Sequence, residues 1–190
     1  MKEPENLSAQ QSLSIITSMI DQAKGNVQRN SFYFLLWGWV VALANLGMFA
    51  LSMLDYQRPY IVWVITIPAW IYTIYRSIKQ NADKSASTHF DRISASLWMC
   101  YAICIFTVVA FGYKINFQIG PIILIMSAVP TFVSGIILRF KPLMIGGILF
   151  WVFGIISFLV PNEMQSLAGA LAILCGYLVP GYILKNKHED

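Results

Sequence analysis

The sequence predicts an all-α integral membrane protein with six transmembrane helices and an amphipathic helix ahead of the first. Three observations predict it. Hydrophobic residues make up 57% of the 190 positions and charged residues only 12%, about half the charged share with which a soluble domain covers its surface. The apolar residues gather into six runs, each near the roughly 20 residues that cross a bilayer. Lys and Arg then fall on alternate connections, as they do when a chain is threaded back and forth across a membrane.

The first element precedes the spans. Ser8 followed by Gln11 forms a capping box, in which a hydroxyl and an amide satisfy the free N–H groups of a helix start. Leu13, Ile16, Ile20, Ala23 and Val27 recur at three- and four-residue spacing and lay an apolar stripe along one helical face. Ser12, Ser14, Thr17 and Ser18 occupy much of the remainder, with Lys24 and Arg29 as cations and Asp21 partly offsetting them. A helix that grips anionic lipid carries more Lys and Arg than this on its polar face. Residues 1–30 are therefore read as a separate cytoplasmic amphipathic helix. It is expected to pack on the protein's own cytoplasmic face, on a second copy or on a membrane-protein partner, with a lipid-surface anchor as the alternative. The first apolar run starts near Ser31, too far along for a secretory leader, so the N-terminus reads as mature sequence.

The six spans are residues 32–54, 60–75, 93–113, 121–138, 143–160 and 167–184. The second and fifth are short, and Tyr60, Arg76 and Lys141 extend them to the interface. Residues 31–185 form the membrane domain and 186–190 a cytoplasmic tail. Eleven of the thirteen Lys and Arg residues lie on one side: before the first span, in the second and fourth loops, and in the tail. Arg58 and Lys114 alone fall on the other side. The positive-inside rule places both termini in the cytoplasm. The net charge of +4 does not imply a nucleic-acid partner, because the basic residues mark helix ends. The lipid bilayer is the partner the composition demands.

One pattern repeats. Pro68-Ala69-Trp70, Pro130-Thr131-Phe132 and Pro180-Gly181-Tyr182 each read proline, small residue, aromatic, and each lies on an even-numbered span. The odd spans carry Leu36-Trp37, Leu97-Trp98 and Phe150-Trp151, and the tryptophan-to-proline separations are 31, 32 and 29 residues. This spacing suggests three parallel copies of one helical hairpin, an arrangement known in transporters. Chance remains an open alternative, since proline and tryptophan are both enriched in membrane helices. Proline inside a helix leaves the carbonyl four residues back without a donor, here those of Val64, Met126 and Gly176. Pro68, Pro130 and Pro180 are read as structural kinks, with a ring of the three carbonyls around a central site as the functional alternative.

Candidate chemistry is sparse. Buried charge is the best pointer to transport or proton relay, and the spans contain none: Asp55 and Glu163 sit at span ends. Asn45 is the single amide at mid-membrane depth, a ligand-orienting group or an interhelical hydrogen bond. Ser127, Thr131 and Gly135 recur at four-residue intervals on the fourth span, and Ala168, Ala172 and Gly176 do so on the sixth. Small residues let helices approach closely, so these two helices are expected to build the core. Asn45, Thr131 and Ser134 are the candidate binding residues. Cys100 and Cys104 share one turn with Met99, but His89 and His188 lie outside the spans. No metal site, cofactor or catalytic residue is expected. The cysteines, all within apolar runs, imply no disulfide framework.

The stretches Ser31-Phe-Tyr-Phe-Leu-Leu-Trp-Gly-Trp39 and Thr131-Phe-Val-Ser-Gly-Ile-Ile-Leu-Arg-Phe-Lys-Pro142, with Gly146-Gly147 following, resemble a group of small six-helix membrane proteins from Bacteroidetes-type bacteria. The likeness extends to the helix of residues 12–26. It implies a bacterial inner membrane and brings no activity, cofactor or catalytic residue with it. Function is expected to be non-enzymatic association, as an interaction or accessory membrane component. The alternative is a small transporter or channel with an uncharged pathway near Asn45, Thr131 and the freed carbonyls.

Overall fold

The computed structural model describes residues 9–82 and 89–186, with side chains described for 31–79 and 92–186. Among these residues the chain is all-helical with no strand. Six helices are long and apolar enough to cross a membrane.

Helix α1 runs without interruption from Ala9 to Met53. Its 45 residues extend about 68 Å at 1.5 Å per residue, more than twice the hydrocarbon thickness of about 30 Å. Residues 1–30 read from sequence as a separate element, but the backbone shows no break at that boundary, even across Gly25 and Asn26. The reason is cooperative: once a helix is nucleated, adding a residue costs little, and one glycine is tolerated. Ser8 of the capping box and the side chains of the apolar stripe lie outside the described residues. Helix α1 ends on a left-handed residue, Asp55, at φ 52°. The Tyr56 N–H donates to Leu51 O at 3.0 Å and the Asp55 N–H to Ser52 O at 3.2 Å, the paired bonds of a Schellman stop.

A 3-10 segment, Pro59–Ile65, leads into α2, Thr66–Ala82. Pro68 lies in the first turn of α2, just past the change from 3-10 to α geometry, whereas Pro130 lies inside a helix. Helix α3 is His89–Ala110, followed by a short turn, Gly112–Ile115. Helix α4, Ile119–Ile137, holds Pro130 in its interior. A second Schellman stop joins it to α5, Lys141–Leu159: Phe140 N–H donates to Gly135 O at 2.9 Å and Arg139 N–H to Ile136 O at 3.0 Å. The last span is built in three parts, α6 (Asn162–Ile173), a π-helical turn (Leu174–Leu178) and α7 (Val179–Asn186). It starts five residues before the predicted position, since Glu163 in its first turn suits the positive end of the helix dipole. Within the π turn the Val179 N–H donates to Leu174 O, five residues back, and the chain passes Pro180 on the widened turn.

Packing divides the helices into two sets. The last span is the most buried, with α4, α5 and the apolar part of α1 beside it, whereas no residue of α3 from Arg92 to Ala110 is buried and almost none of α2. The predicted core pair, α4 and the last span, does lead in burial, but α5 wedges between them. Gly146 lies so close to the π turn that a methyl group there would collide with Gly176 O. Gly147 does the same against α4, where a Cβ would sit 2.8 Å from Phe132 Cβ. On the other side Gly38 of α1 meets Leu178, and Gly169 of α6 meets Asn45. Phe150 fills the centre with no exposed surface, beside Leu143, Leu124 and Ala128.

The three proline motifs occupy unlike places. Pro68 is exposed, while Pro130 and Pro180 are buried. Trp70 stacks edge-on against Trp37 at 5.0 Å, Phe132 lies 6.1 Å from Trp151, and the Tyr182 hydroxyl accepts from Trp39 Nε1 at 3.1 Å. Since Pro68 lies on the outer surface, the three freed carbonyls do not ring one site. The Gly176 carbonyl instead faces the Gly146 backbone, the kind of Cα–H contact that recurs between closely packed helices.

Candidate functional site

The polar centre of the bundle is a set of hydroxyls gathered on α4. Thr131 has no exposed surface and Ser127 is 4% exposed; one helical turn separates them. The Thr131 hydroxyl lies 2.7 Å from Ser127 O and 3.1 Å from the Tyr177 hydroxyl. It has one hydrogen, and a carbonyl can only accept, so Thr131 donates to Ser127 O and Tyr177 donates to Thr131. The same logic fixes the second pair. Ser127 Oγ donates to Ile123 O at 2.6 Å, and the Tyr101 hydroxyl donates to Ser127. Two tyrosines, one from α3 and one from the π turn, thus clamp onto two α4 hydroxyls, which hand their own protons to α4 carbonyls.

Aromatic rings seal this centre. Tyr177 meets Phe150 edge-on at 4.8 Å and Phe34 of α1 at 5.6 Å. Phe34 in turn lies 6.0 Å from Trp98, and Trp98 is 5.6 Å from Tyr101. The tyrosine bodies supply apolar area and their hydroxyls find partners, which is how a buried tyrosine is accommodated. Every proton in the set has one acceptor, and no carboxylate, imidazole, amine or thiol is among the groups bonded to it. The arrangement can join helices; it holds no group that activates a nucleophile.

Thr131, a candidate from the sequence, lies in this centre. Ser134 lies one turn further along α4, buried, and its hydroxyl has no partner among the described residues. Asn45 is elsewhere. Its amide donates to Val41 O on its own helix at 2.9 Å, and its Oδ1 presses against Gly169. Gly169 and Tyr177 are eight residues apart on the last span, about 12 Å along the axis. Asn45 and Thr131 are therefore not brought together: Asn45 is half-buried where α1 meets α6.

Tyr101 and Tyr177 do not stand out in the sequence pattern. Their signal is depth, since tyrosine gathers at membrane interfaces and these two fall well inside their spans. Cys100, Cys104 and Cys175 are all exposed. Among the described residues no three His, Cys, Asp or Glu side chains are grouped to hold a metal. At the basic end the Arg76 guanidinium lies 3.5 Å above the Phe32 ring, a cation–π contact that fastens α2 to α1. At the opposite end Gln118, Asn162 and Gln165 form an amide cluster between the starts of α4 and α6, with bonds of 2.9 to 3.3 Å.

No protein-family model, curated protein or solved structure matches the chain.

Proposed function

We propose that the protein is a non-enzymatic component of a bacterial inner membrane that works by association, with both termini in the cytoplasm. The observation that carries this reading is the filled interior. At the depth of Thr131 the helices meet backbone to backbone, and the buried Thr131 and Tyr177 hydroxyls are spent on each other and on α4. An uncharged pathway needs polar groups that face water, and these do not. The long α1 helix supports the same reading. Its residues Ala9 to Asn30 extend about 33 Å beyond the apolar window, a reach suited to engaging a partner or a second copy outside the bilayer.

One observation favours the second reading, a small transporter. The hydroxyls of Ser134 and Ser157 are buried and have no partner among the described residues, and unsatisfied groups of this kind can mark a path that water enters. Cysteine accessibility separates the two. In proteoliposomes of a chain whose native cysteines are replaced by alanine, Asn45→Cys and Thr131→Cys should resist a membrane-impermeant maleimide from either side. Labelling at both positions would replace association with transport. Removal of residues 1–28 should change the oligomeric state of the purified protein or its recovery of a membrane partner. If neither changed, the arm would have no part in association. The orientation follows the basic end and is checked by a C-terminal fusion reporter that is active only in the cytoplasm.

A further inference from the structure

Three independent features single out α3. The first is burial: no residue from Arg92 to Ala110 is buried, although the helix lies against α4. The second is attachment. A side-chain hydrogen bond from Tyr101 to Ser127 ties α3 to the core, supplemented by a ring contact from Trp98 to Phe34 of α1, while Phe106 rests on Trp70 of α2. The third is its junction with α4. Asn116 and Phe117 stand in succession at φ 51° and 57°, in the left-handed region that asparagine tolerates and a bulky aromatic residue rarely enters. Strain of this kind persists only where the surroundings hold it and is typical of elements that switch. At the junction itself the chain stays close to α4: Gly112, just before the pivot, is buried, and a Cβ there would lie 2.7 Å from Ile119 Cδ1.

We propose that α3 is a releasable helix, latched to the core by Tyr101 on Ser127 and pivoting at Asn116–Phe117 while α1, α4, α5 and the last span stay packed. In lipid the released state is accessible. The apolar surface α3 leaves is covered by acyl chains as favourably as by protein, so packing and the hydrogen bond are what hold the helix in place. Release exposes the Ser127 hydroxyl, which keeps its bond to Ile123 O, and frees the Tyr101 hydroxyl to move toward water. The inference is independent of whether the protein associates or transports.

Distance measurement between spin labels tests it. In full-length protein with Cys100, Cys104 and Cys175 replaced by alanine, one pair carries labels at Met99→Cys and Ile155→Cys, both exposed positions on α3 and α5. A second pair at Val129→Cys and Val179→Cys, also exposed, reports on the core. Reconstituted in lipid bilayers, the α3 pair should show two distances. Tyr101→Phe should raise the ratio of long to short distance about threefold, as expected from the average strength of an interhelical hydrogen bond in a membrane. Ser127→Ala should act the same way, and the core pair should not change in either variant. A single α3 distance that neither substitution moves would overturn the proposal. So would a core distance that shifts together with the α3 distance, because α3 would then not be an independent element.

Discussion

Helices α3 and α5 are both strongly apolar and nearly equal in length, yet no residue of α3 from Arg92 to Ala110 is fully buried, whereas α5 is wedged into the centre of the bundle. Hydrophobicity does not separate them, because lipid is as apolar as a protein interior. What separates them is glycine. Helix α5 carries Gly146, Gly147 and Gly154, whereas α2 and α3 carry none. Each α5 glycine is a place where a Cβ would strike a neighbouring helix. In a bilayer, association depends on close van der Waals approach and a few hydrogen bonds. The helices that can approach closely form the core, and those that cannot lie at its margin.

That comparison is broken or sharpened most at Gly146. A valine there meets the backbone of the π turn, which cannot give way as a side-chain tip could. Gly146→Val should destabilise the bundle by about 3 kcal/mol, read as a shift in reversible unfolding from bicelles into denaturing detergent. Gly120→Ala is the matched control, since a Cβ there would meet nothing within 4 Å, and it should change stability by less than about 0.5 kcal/mol. Equal effects at the two sites would remove glycine as the discriminating feature. Next in size is the central ring. Phe150→Ala should cost about 2 kcal/mol, below the soluble range of about 3 to 5, because lipid offers the unfolded chain the same apolar surroundings. Phe106→Ala on α3, whose side chain is 63% exposed, should cost about 0.5 kcal/mol or less.

The hydroxyl centre gives a smaller contrast. Thr131→Val keeps the shape but leaves the Tyr177 hydroxyl without its partner, a loss of about 1 kcal/mol. Thr107→Val on α3 removes only a bond to Ile103 O of the same helix and should be near neutral. The same unfolding assay reads both.

These contrasts explain what was legible from sequence. Span number and approximate position follow from hydropathy, a one-dimensional property, and the six predicted runs correspond to the six long apolar helices. Thr131 stands out because small polar residues at four-residue spacing mark a packed face. Its partner Tyr177 does not, because which tyrosine reaches it depends on the π turn, and no local residue pattern specifies that turn. The role of α5 is hidden for a related reason: its glycines are plain in the sequence, but their opposing surfaces belong to α4 and the last span. The proline motif illustrates the limit. Its three copies match in spacing and direction, yet Pro68 is exposed in the first turn of α2 while Pro130 and Pro180 are buried. The place of a proline is set by what packs on it.

The smallest expected effect compares the two turns that flank α4. Arg139 and Phe117 both hold left-handed backbone, at φ 50° and 57°, and glycine relieves either by about 1 to 2 kcal/mol, less the about 0.5 to 1 kcal/mol of chain entropy that glycine forfeits on folding. Arg139 lies in the stop that joins α4 to α5, within the packed unit. Arg139→Gly should therefore raise global stability by about 0.5 kcal/mol. Phe117 lies where α3 leaves the core, so relief there acts on the attachment of α3 and not on the unfolding of the core. Phe117→Gly should leave the global transition unchanged while shifting the spin-label distances between α3 and α5. If instead it raised global stability as much as Arg139→Gly, the α3–α4 turn would belong to the core, and the boundary between the two sets of helices would have to be drawn on the far side of α3.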